Sequence, residues 1–283
     1  MTLKIGTRKS RLAVRQAEMA VWAIKEKFPD IQTELVFIST EGDRVTDRPL
    51  SAMGGKGVFV SEIEKALLDG RIDMAVHSAK DMSVCCEEGL AVTGVLRRDD
   101  PCDLLIFNKD NTSFGGSFSV GTGSLRRRRG VEKMFPEAVF LDIRGNIDTR
   151  LRKLKSGEYD SIMLAAAGID RLGLDMSDFH IIRCNDILPA PCQAIIALET
   201  RAGGNAAEIA GAVSHEETFI CFETERYAMR LLGADCTLPI GAYSFVKDGR
   251  ITLFLSKDGK KSVNGCEDIM QRFVLAERLA GRL

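Results

Sequence analysis

Arginines are concentrated where the predicted strands end and the helices begin. They are Arg8, Arg11, Arg15, Arg126 to Arg129, Arg144, Arg150 and Arg152. Proteins of the α/β class bind ligands at this edge of the sheet, and a guanidinium binds a carboxylate through two parallel hydrogen bonds. The set therefore predicts a ligand with several carboxylates. For Arg128, Arg129 and Arg152 we favour a solvated helix surface instead, because four consecutive arginines point in different directions around a helix.

A lysine and an aspartate follow the apolar strand predicted at residues 74–76. They are Lys80 and Asp81, and His77 and Ser78 precede them. A carboxylate at a strand end can exchange a proton or stabilise a cation, and a neighbouring lysine can act as its electrostatic partner. The alternative is that the Ser and Asp residues only cap a short helix. Both interpretations stay open on the residues alone.

Two further segments carry residue types that suit a lid or a reactive group. Gly54 to Gly57 and the following Phe59 form either a lid that carries Lys56 or a plain linker, and they lack the spacing of a P-loop. Cys236 lies in a tight turn predicted between a helix and a strand. A thiol in such a turn can be a nucleophile or an attachment point, and the alternative is a structural cysteine.

The composition narrows the possible functions. The chain has 283 residues, of which 45% are hydrophobic and 28% charged, and its formal net charge is −1. A near-neutral chain with no aromatic residues among its clustered arginines argues against nucleic-acid binding. The eight cysteines form no C-x-x-C pair and the three histidines are dispersed, so we predict no metal site. There is no long apolar run and no signal-peptide pattern, so we expect a cytoplasmic protein.

Alternating strands and helices must position these residues. Hydrophobic patterns predict strands at 3–6, 31–39, 72–76 and 91–96, a helix capped by Ser10, and a second helix at 59–68. A second cycle begins near Asp103, and residues 120–142 repeat the pattern of residues 5–39. We interpret this as an internal repeat of two α/β units. The alternative is two unrelated strand-turn-helix segments.

The last part of the chain has a different pattern. We predict a helix at 215–232, strands at 240–246 and 251–256, and a final helix from Glu267 onward. Turn signals at Asp248-Gly249 and Asp258-Gly259 flank the second strand. These elements predict a small α+β unit.

Together, the motifs resemble the hydroxymethylbilane synthase family, also called porphobilinogen deaminase. The resemblance rests on residues 6–13 (GTRKSRLA), 55–59 (GKGVF), 77–81 (HSAKD), 121–127 (GTGSLRR), 144–146 (RGN) with Arg150, 188–190 (LPA), and Cys236 before 239–241 (PIG). Each segment alone is short. Their common order and spacing over most of the chain make the set specific.

The resemblance implies a transferase of tetrapyrrole biosynthesis. It would join four porphobilinogen molecules head to tail, release ammonia at each step and free linear hydroxymethylbilane from a dipyrromethane primer held by a thioether to Cys236. The implied partner is porphobilinogen alone, with no nucleic acid and no membrane, and the protein would be a monomer. The implied fold is two doubly wound α/β domains of the periplasmic-binding-protein type, at 1–98 with 192–212 and at 99–191, and a small α+β domain at 213–283.

The resemblance also assigns roles to individual residues. Asp81, assisted by Lys80, would promote loss of the amino group and stabilise cationic intermediates. The dipyrromethane would contact Cys236, Ser10, Lys80, Asp81, Thr122, Ser124, Arg126, Arg127, Arg144 and Gly145. The substrate would contact Arg8, Ser10, Phe59, Arg144, Arg150 and Gln193. Lys56 and Phe59 would belong to the lid loop.

Two departures from the family pattern bear on structure. Pro191-Cys192-Gln193-Ala194 stands where the family usually has a Gly-Gln-Gly run, so the backbone freedom of two glycines is lost there. Ala234-Asp235 replaces a Gly-Gly pair before Cys236, and we expect the added carboxylate to raise the pKa of that thiol. The runner-up function is a non-catalytic protein that closes around a small carboxylate, which gives Asp81 and Cys236 no role.

Overall fold

The structure, a computed structural model, describes residues 2–40, 60–109, 116–233, 238–259 and 261–283. Its first sheet has five strands in the order β2-β1-β3-β10-β4. The strands are β1 (Thr2–Thr7), β2 (Gln32–Phe37), β3 (Met74–Ser78), β4 (Leu90–Val95) and β10 (Ile196–Arg201). β1 pairs in parallel with β2 and β3, whereas β10 is antiparallel to β3 and β4.

Helices cover both faces of this first sheet. They are α1 (Arg11–Lys27), α2 (Ser61–Leu68) and α6 (Asn205–Ala212). On one face, Ala17 and Ile24 of α1 and Ile209 of α6 pack into a core with residues of β1, β3 and β10. On the other face, Ile63 and Leu67 of α2 pack on a second core cluster. Apolar residues buried on both faces are the pattern of a doubly wound sheet.

The second sheet has five strands in the order β7-β6-β8-β5-β9. They are β5 (Asp103–Asn108), β6 (Ser119–Gly121), β7 (Val139–Leu141), β8 (Ser161–Ala165) and β9 (Phe179–Arg183), with helices α3 (Leu125–Met134), α4 (Ile147–Lys155) and α5 (Ala166–Leu172). Its first three strands run parallel, and β5 is antiparallel to both of its neighbours. The two sheets therefore share one topology, which confirms the internal repeat and the α/β fold class.

A third sheet follows in the order β11-β12-β13. Strands β11 (Gly241–Lys247), β12 (Arg250–Lys257) and β13 (Lys261–Asp268) form an antiparallel meander, and α7 (Glu216–Leu231) and α8 (Arg272–Ala280) supply core residues to it. Asp248, Gly249, Asp258 and Gly259 have positive φ, as expected for tight hairpin turns.

The final helix begins later in the chain than the sequence predicts. Glu267 lies in β13, which was missed, and the helix begins at Arg272 after a 3₁₀ turn at Ile269–Gln271. Residues 261–268 show little apolar alternation, so their sequence lacks a strand signal. Pairing with β12 determines the strand, because the hairpin turn brings the segment alongside a formed neighbour.

The chain passes between the first two sheets twice, after β4 and before β10. In the second passage Cys192 and Ala194 have φ of 59° and 69°. This left-handed region costs a residue with a side chain roughly 1–2 kcal/mol relative to glycine. The two positions where the family usually has glycine therefore keep the backbone shape that favours glycine.

A buried carboxylate holds this passage in place. Glu225 on α7 accepts from the backbone N–H of Cys192 at 2.6 Å and forms an ion pair with Arg98 at 2.6 Å. Arg98 also donates to the Gln193 carbonyl. The third unit therefore contacts the link between the other two, whose boundaries at 98, 191 and 212 stay a prediction. None of the helices in the described ranges is long and apolar enough to span a membrane.

Candidate active site

Lys80 and Asp81 lie on a 3₁₀ turn directly after β3. The backbone N–H of Ala79 donates to the Ile195 carbonyl at 3.0 Å, which fixes the turn beside the passage before β10. The side chain of Ser78 exchanges hydrogen bonds with Gln16 on α1 and caps no helix. The capping alternative for this serine is therefore wrong.

The Lys80 ammonium is enclosed by the two large units. Its Nζ donates to Gln193 Oε1 at 3.3 Å. Burial lowers the pKa of Lys80 to about 8, the charge of Asp81 opposes this shift, and the charge of Arg127 adds to it. At neutral pH the group is still mostly protonated, so it can bind an anion.

Asp81 extends its carboxylate into the same region. Its side chain is exposed, and among the described residues it forms no hydrogen bond or ion pair. Its negative charge partly offsets the lowering of two pKa values by burial, that of Lys80 in the first unit and that of Arg150 in the second. Within the described part of the chain, Asp81 is therefore a carboxylate without a bonded partner, and its charge acts on one cation of each unit.

Asp103, at the start of β5, is a buried anion that organises two arginines. Its Oδ1 accepts from Nε and Nη2 of Arg127 at 3.1 and 2.7 Å, and its Oδ2 lies 2.7 Å from Nη1 of Arg126. Burial raises the pKa of Asp103, but the charges of Arg127 and Arg126 more than offset this, so its pKa lies well below its usual range. This ion pair holds both guanidiniums against the sheet.

Gln193 connects this ion pair to Lys80. Its side chain is fully buried, and its Nε2 donates to the Pro101 carbonyl at 2.6 Å and to Asp103 Oδ1 at 3.0 Å. Because its Oε1 accepts from Lys80, both ends of the carboxamide are bonded within the protein. Gln193 therefore positions Lys80 relative to the second unit, and its predicted contact with substrate stays a prediction.

Arg144 and Arg150 lie on either side of the start of α4. Arg150 Nε donates to the Gly145 carbonyl at 2.8 Å; burial and then the charge of Arg127 lower its pKa to about 10. Arg144 Nη2 is buried and has no hydrogen-bond partner among the described residues. Gly145 has φ of 108°, and a Cβ there would lie 2.7 Å from Thr149 Cγ2, so the turn requires glycine.

The predicted hydroxyl residues cap the helices that begin at this edge. Ser10 accepts from the N–H of Ala13 at 3.3 Å, which confirms its predicted capping role, and Ser124 accepts from the N–H of Arg127 at 3.5 Å. Thr122, which is buried, accepts from the N–H of Ser124 at 3.2 Å. These caps set the entry of α1 and α3 into the cleft.

Other candidate residues lie elsewhere. Arg128 donates to the Thr122 carbonyl and pairs with Asp142, so it supports the turn and is not simply solvated. Arg129 and Arg152 belong to the exposed helix surfaces, as predicted, and Arg11 and Arg15 form exposed ion pairs with Asp148 and Glu18. Arg8 is half-buried near the start of α1. Lys56, Phe59 and Cys236 lie outside the described residues.

Asp103 is the site residue that the sequence analysis missed. The sequence pattern marks it only as the start of the second α/β cycle. A usable signal was present, because an aspartate that opens the apolar run of residues 104–107 needs a buried counter-ion, and consecutive arginines follow in the same unit.

Comparison with known proteins places these residues in a family. Residues 3–208 match the family model described as "Porphobilinogen deaminase, dipyromethane cofactor binding domain". The chain belongs to the porphobilinogen deaminase family. The porphobilinogen deaminase of Acetivibrio thermocellus is 38% identical over 263 residues, which cover 92% of this chain and 90% of the relative. The probable porphobilinogen deaminase of Methanosarcina barkeri is 42% identical, with 92% and 84% covered.

The family, the enzymatic activity and the dipyrromethane cofactor predicted for this chain are thereby confirmed. The residues present fit such a cofactor, because the buried Arg144 Nη2, which lacks a partner in the described ranges, is a donor that a carboxylate side chain of a dipyrromethane would satisfy. Within the described ranges, no group of three or more His, Cys, Asp or Glu residues is arranged to hold a metal ion.

Proposed function

We propose that the cleft between the first two units binds porphobilinogen and the dipyrromethane by their carboxylates and places the reacting aminomethyl carbon at Asp81. The observation that carries this proposal is the position of Asp81. It is an exposed carboxylate with no bonded partner in the ranges that the structure describes, whereas the nearby Asp103 is neutralised by Arg126 and Arg127. A carboxylate left available among cations suits a substrate that carries both carboxylates and an amine.

The charge of each side chain determines its proposed role. Arg144, Arg150 and Lys80 bind carboxylates, with Arg144 donating from Nη2, the nitrogen that has no partner among the residues described. Asp81 stabilises the positive charge that develops on the substrate as its carbon–nitrogen bond breaks and ammonia leaves. Asp103 and Gln193 hold Arg126, Arg127 and Lys80 in position.

The dipyrromethane, when bound, supplies the pyrrole to which the first substrate is joined. We propose that a thioether to Cys236 anchors it and that Ser10, Thr122, Ser124 and Gly145 line its site. The match to the family's cofactor-binding domain over residues 3–208 supports the assignment of Ser10, Thr122, Ser124 and Gly145. The assignment of Cys236 rests on its position before residues 239–241 (PIG). The roles of Arg8, Lys56 and Phe59 in substrate binding and in a lid belong to the same proposal.

We also propose the finer features that the family resemblance implies. The chain acts as a cytoplasmic monomer, with porphobilinogen as its partner and no nucleic-acid or membrane ligand. The division at 98, 191 and 212 is supported by the membership of the three sheets, because β10 pairs into the first sheet and β11 to β13 form the third. Sedimentation analysis and limited proteolysis test these two points.

The test of the function is to replace Asp81 with asparagine. Asp81→Asn keeps the shape of the side chain and removes the charge, so we expect formation of hydroxymethylbilane from porphobilinogen to fall by roughly 10²- to 10⁴-fold. Glu88→Gln is the matched control, because Glu88 is an exposed carboxylate seven residues away. Unchanged turnover in Asp81→Asn, or loss of activity in both variants, would contradict the assignment.

A further inference from the structure

A cluster of buried ionisable groups lies on the face of the first sheet that α2 covers. It consists of Glu64 on α2, His77 on β3 and Glu199 on β10, which are 5%, 6% and 0% exposed. His77 Nε2 lies 3.1 Å from Glu199 Oε2. Glu199 Oε1 is buried and has no hydrogen-bond partner among the described residues. Buried charges of this kind are costly, so their presence requires a reason.

The second sheet shows that the fold does not need these charges. Five residues separate α2 from β3, and five separate α4 from β8. With this spacing and the strand registers, Glu64, His77 and Glu199 correspond to Leu151, Leu164 and Ile106 of the second unit.

Those three residues belong to one hydrophobic core cluster. The same positions are therefore apolar in one unit and ionisable in the other. The ionisable set occurs in the unit that carries Lys80 and Asp81, whose counterparts by the same register are Ala167 and Gly168.

Residues on both sides of the catalytic turn, 79–81, connect it to its surroundings. His77 lies on β3, three residues before Lys80 on the 3₁₀ turn that follows the strand. Beyond the turn, the charge of Glu87 acts on the Glu64 carboxyl and raises its pKa. Between these points, Arg226 on α7 donates to the carbonyls of Ser83 and Val84. The segment after Asp81 is thus fixed to the third unit, and the strand before it carries His77 of the cluster.

We propose that Glu64, His77 and Glu199 are positioning residues that share a proton beneath the catalytic turn, and that loss of this proton loosens the turn and slows the reaction. Glu64 in its acid form supplies the donor that Glu199 Oε1 lacks. His77 Nε2 bonds the other carboxylate oxygen of Glu199, Oε2, at 3.1 Å. This inference rests on the proposed function for its activity readout only.

The charges around Glu64 support a titration near neutral pH. Burial and then the charge of Glu199 raise the pKa of Glu64 to about 7, while His77 opposes the shift and Glu87 adds to it. Cys86, beside Glu199, also has a raised pKa because of burial and that same charge. The folded protein therefore holds the Glu64 proton up to about pH 7, and the unfolded chain releases it near 4.5. Stability falls as the pH rises through this window.

The experiment compares Glu64→Gln and Glu64→Leu with the wild-type chain, loaded with its cofactor, from pH 6 to 8.5. Glutamine keeps a donor at all pH values, so we expect the decrease of kcat near pH 7 to disappear. Leucine copies the second unit and removes the donor, so we expect a fold of normal stability with kcat lowered roughly ten- to a hundredfold and KM nearly unchanged. Glu62→Gln, on the same helix, is the control and should behave as wild type.

A second measurement does not depend on activity. Amide hydrogen exchange in residues 79–87, corrected for the intrinsic pH effect, should accelerate above pH 7 in the wild type, be fast at every pH in Glu64→Leu, and stay slow in Glu64→Gln. An unchanged pH profile in Glu64→Gln, or normal kcat and exchange in Glu64→Leu, would overturn the proposal. If the wild-type chain makes no hydroxymethylbilane, the proposed function fails, and the exchange data still decide on the cluster.

Discussion

The first two sheets share one strand order, and they place charge at different corresponding positions. In the first unit Lys80 and Asp81 follow β3, whereas the same positions after β8 are Ala167 and Gly168. In the second unit β5 opens with Asp103, and the corresponding residue of β10 is the buried Ile196. Two units with the same strand order therefore carry different charged groups. The first carries the exposed carboxylate of Asp81, and the second carries the arginines that pair with Asp103.

The helices that begin at the cleft show the same division. Counted from their caps, Ser10 and Ser124, the residues Leu12 and Ala13 of α1 correspond to Arg126 and Arg127 of α3. The two helices start alike because a serine satisfies a free N–H in both. What differs is the side chain two and three residues later. The two units therefore share a backbone arrangement, and different side chains at a few corresponding positions create the site.

Removing the anion of the second unit should have the largest effect on stability. In Asp103→Asn, the guanidiniums of Arg126 and Arg127 stay buried without their counter-ion, so we expect a loss of about 3–5 kcal/mol in the free energy of unfolding. Urea denaturation measures it. Asp148→Asn is the control, because its ion pair with Arg11 is exposed and should contribute less than about 1 kcal/mol. Equal small losses would show that Asp103 is not the partner that organises these arginines.

Removing a ligand-binding arginine of the second unit should affect binding more than folding. Arg144→Gln deletes a donor that has no partner within the described protein, so stability should change little. A charged hydrogen bond contributes about 1.5–3 kcal/mol, so we expect KM for porphobilinogen to rise roughly ten- to a hundredfold. Steady-state kinetics check this against Arg152→Gln, which alters an exposed arginine of α4. A KM equal to that of the control would remove Arg144 from the site.

We expect the smallest effect on stability from alanine substitution at two corresponding glycines, Gly121 and Gly6. A Cβ on Gly121 would lie 2.9 Å from the ring of Tyr159, whose hydroxyl is fixed by a hydrogen bond to the Asp142 carbonyl. A Cβ on Gly6 would meet the terminal methyl of Ile72, which can rotate away. We expect Gly121→Ala to cost about 1–3 kcal/mol and Gly6→Ala less. Chemical denaturation of both variants tests the order, and a larger loss in Gly6→Ala would reverse our view of which unit is packed more rigidly.

The sequence by itself determined the local structure and the chemistry. Strands followed by capped helices, the repeat and the hairpin turns could be predicted because the bonds that form them join near neighbours in the chain, as between Ser10 and Ala13. Lys80, Asp81 and the arginines could be selected because their charges suit a ligand with several carboxylates. The family resemblance added the identity of the ligand, which no charge pattern contains.

Only the tertiary structure decided which of these groups are available to a ligand. Asp103 meets Arg126 and Arg127 across two elements, and His77 meets Glu199 across 122 residues of chain, because strand order and register bring them together. The missed strand β13 has the same cause, since its partner β12 decides its conformation. Burial then sets the electrostatics: the same low-dielectric surroundings that lower the pKa of Lys80 raise that of Glu64, because each disfavours the charged form.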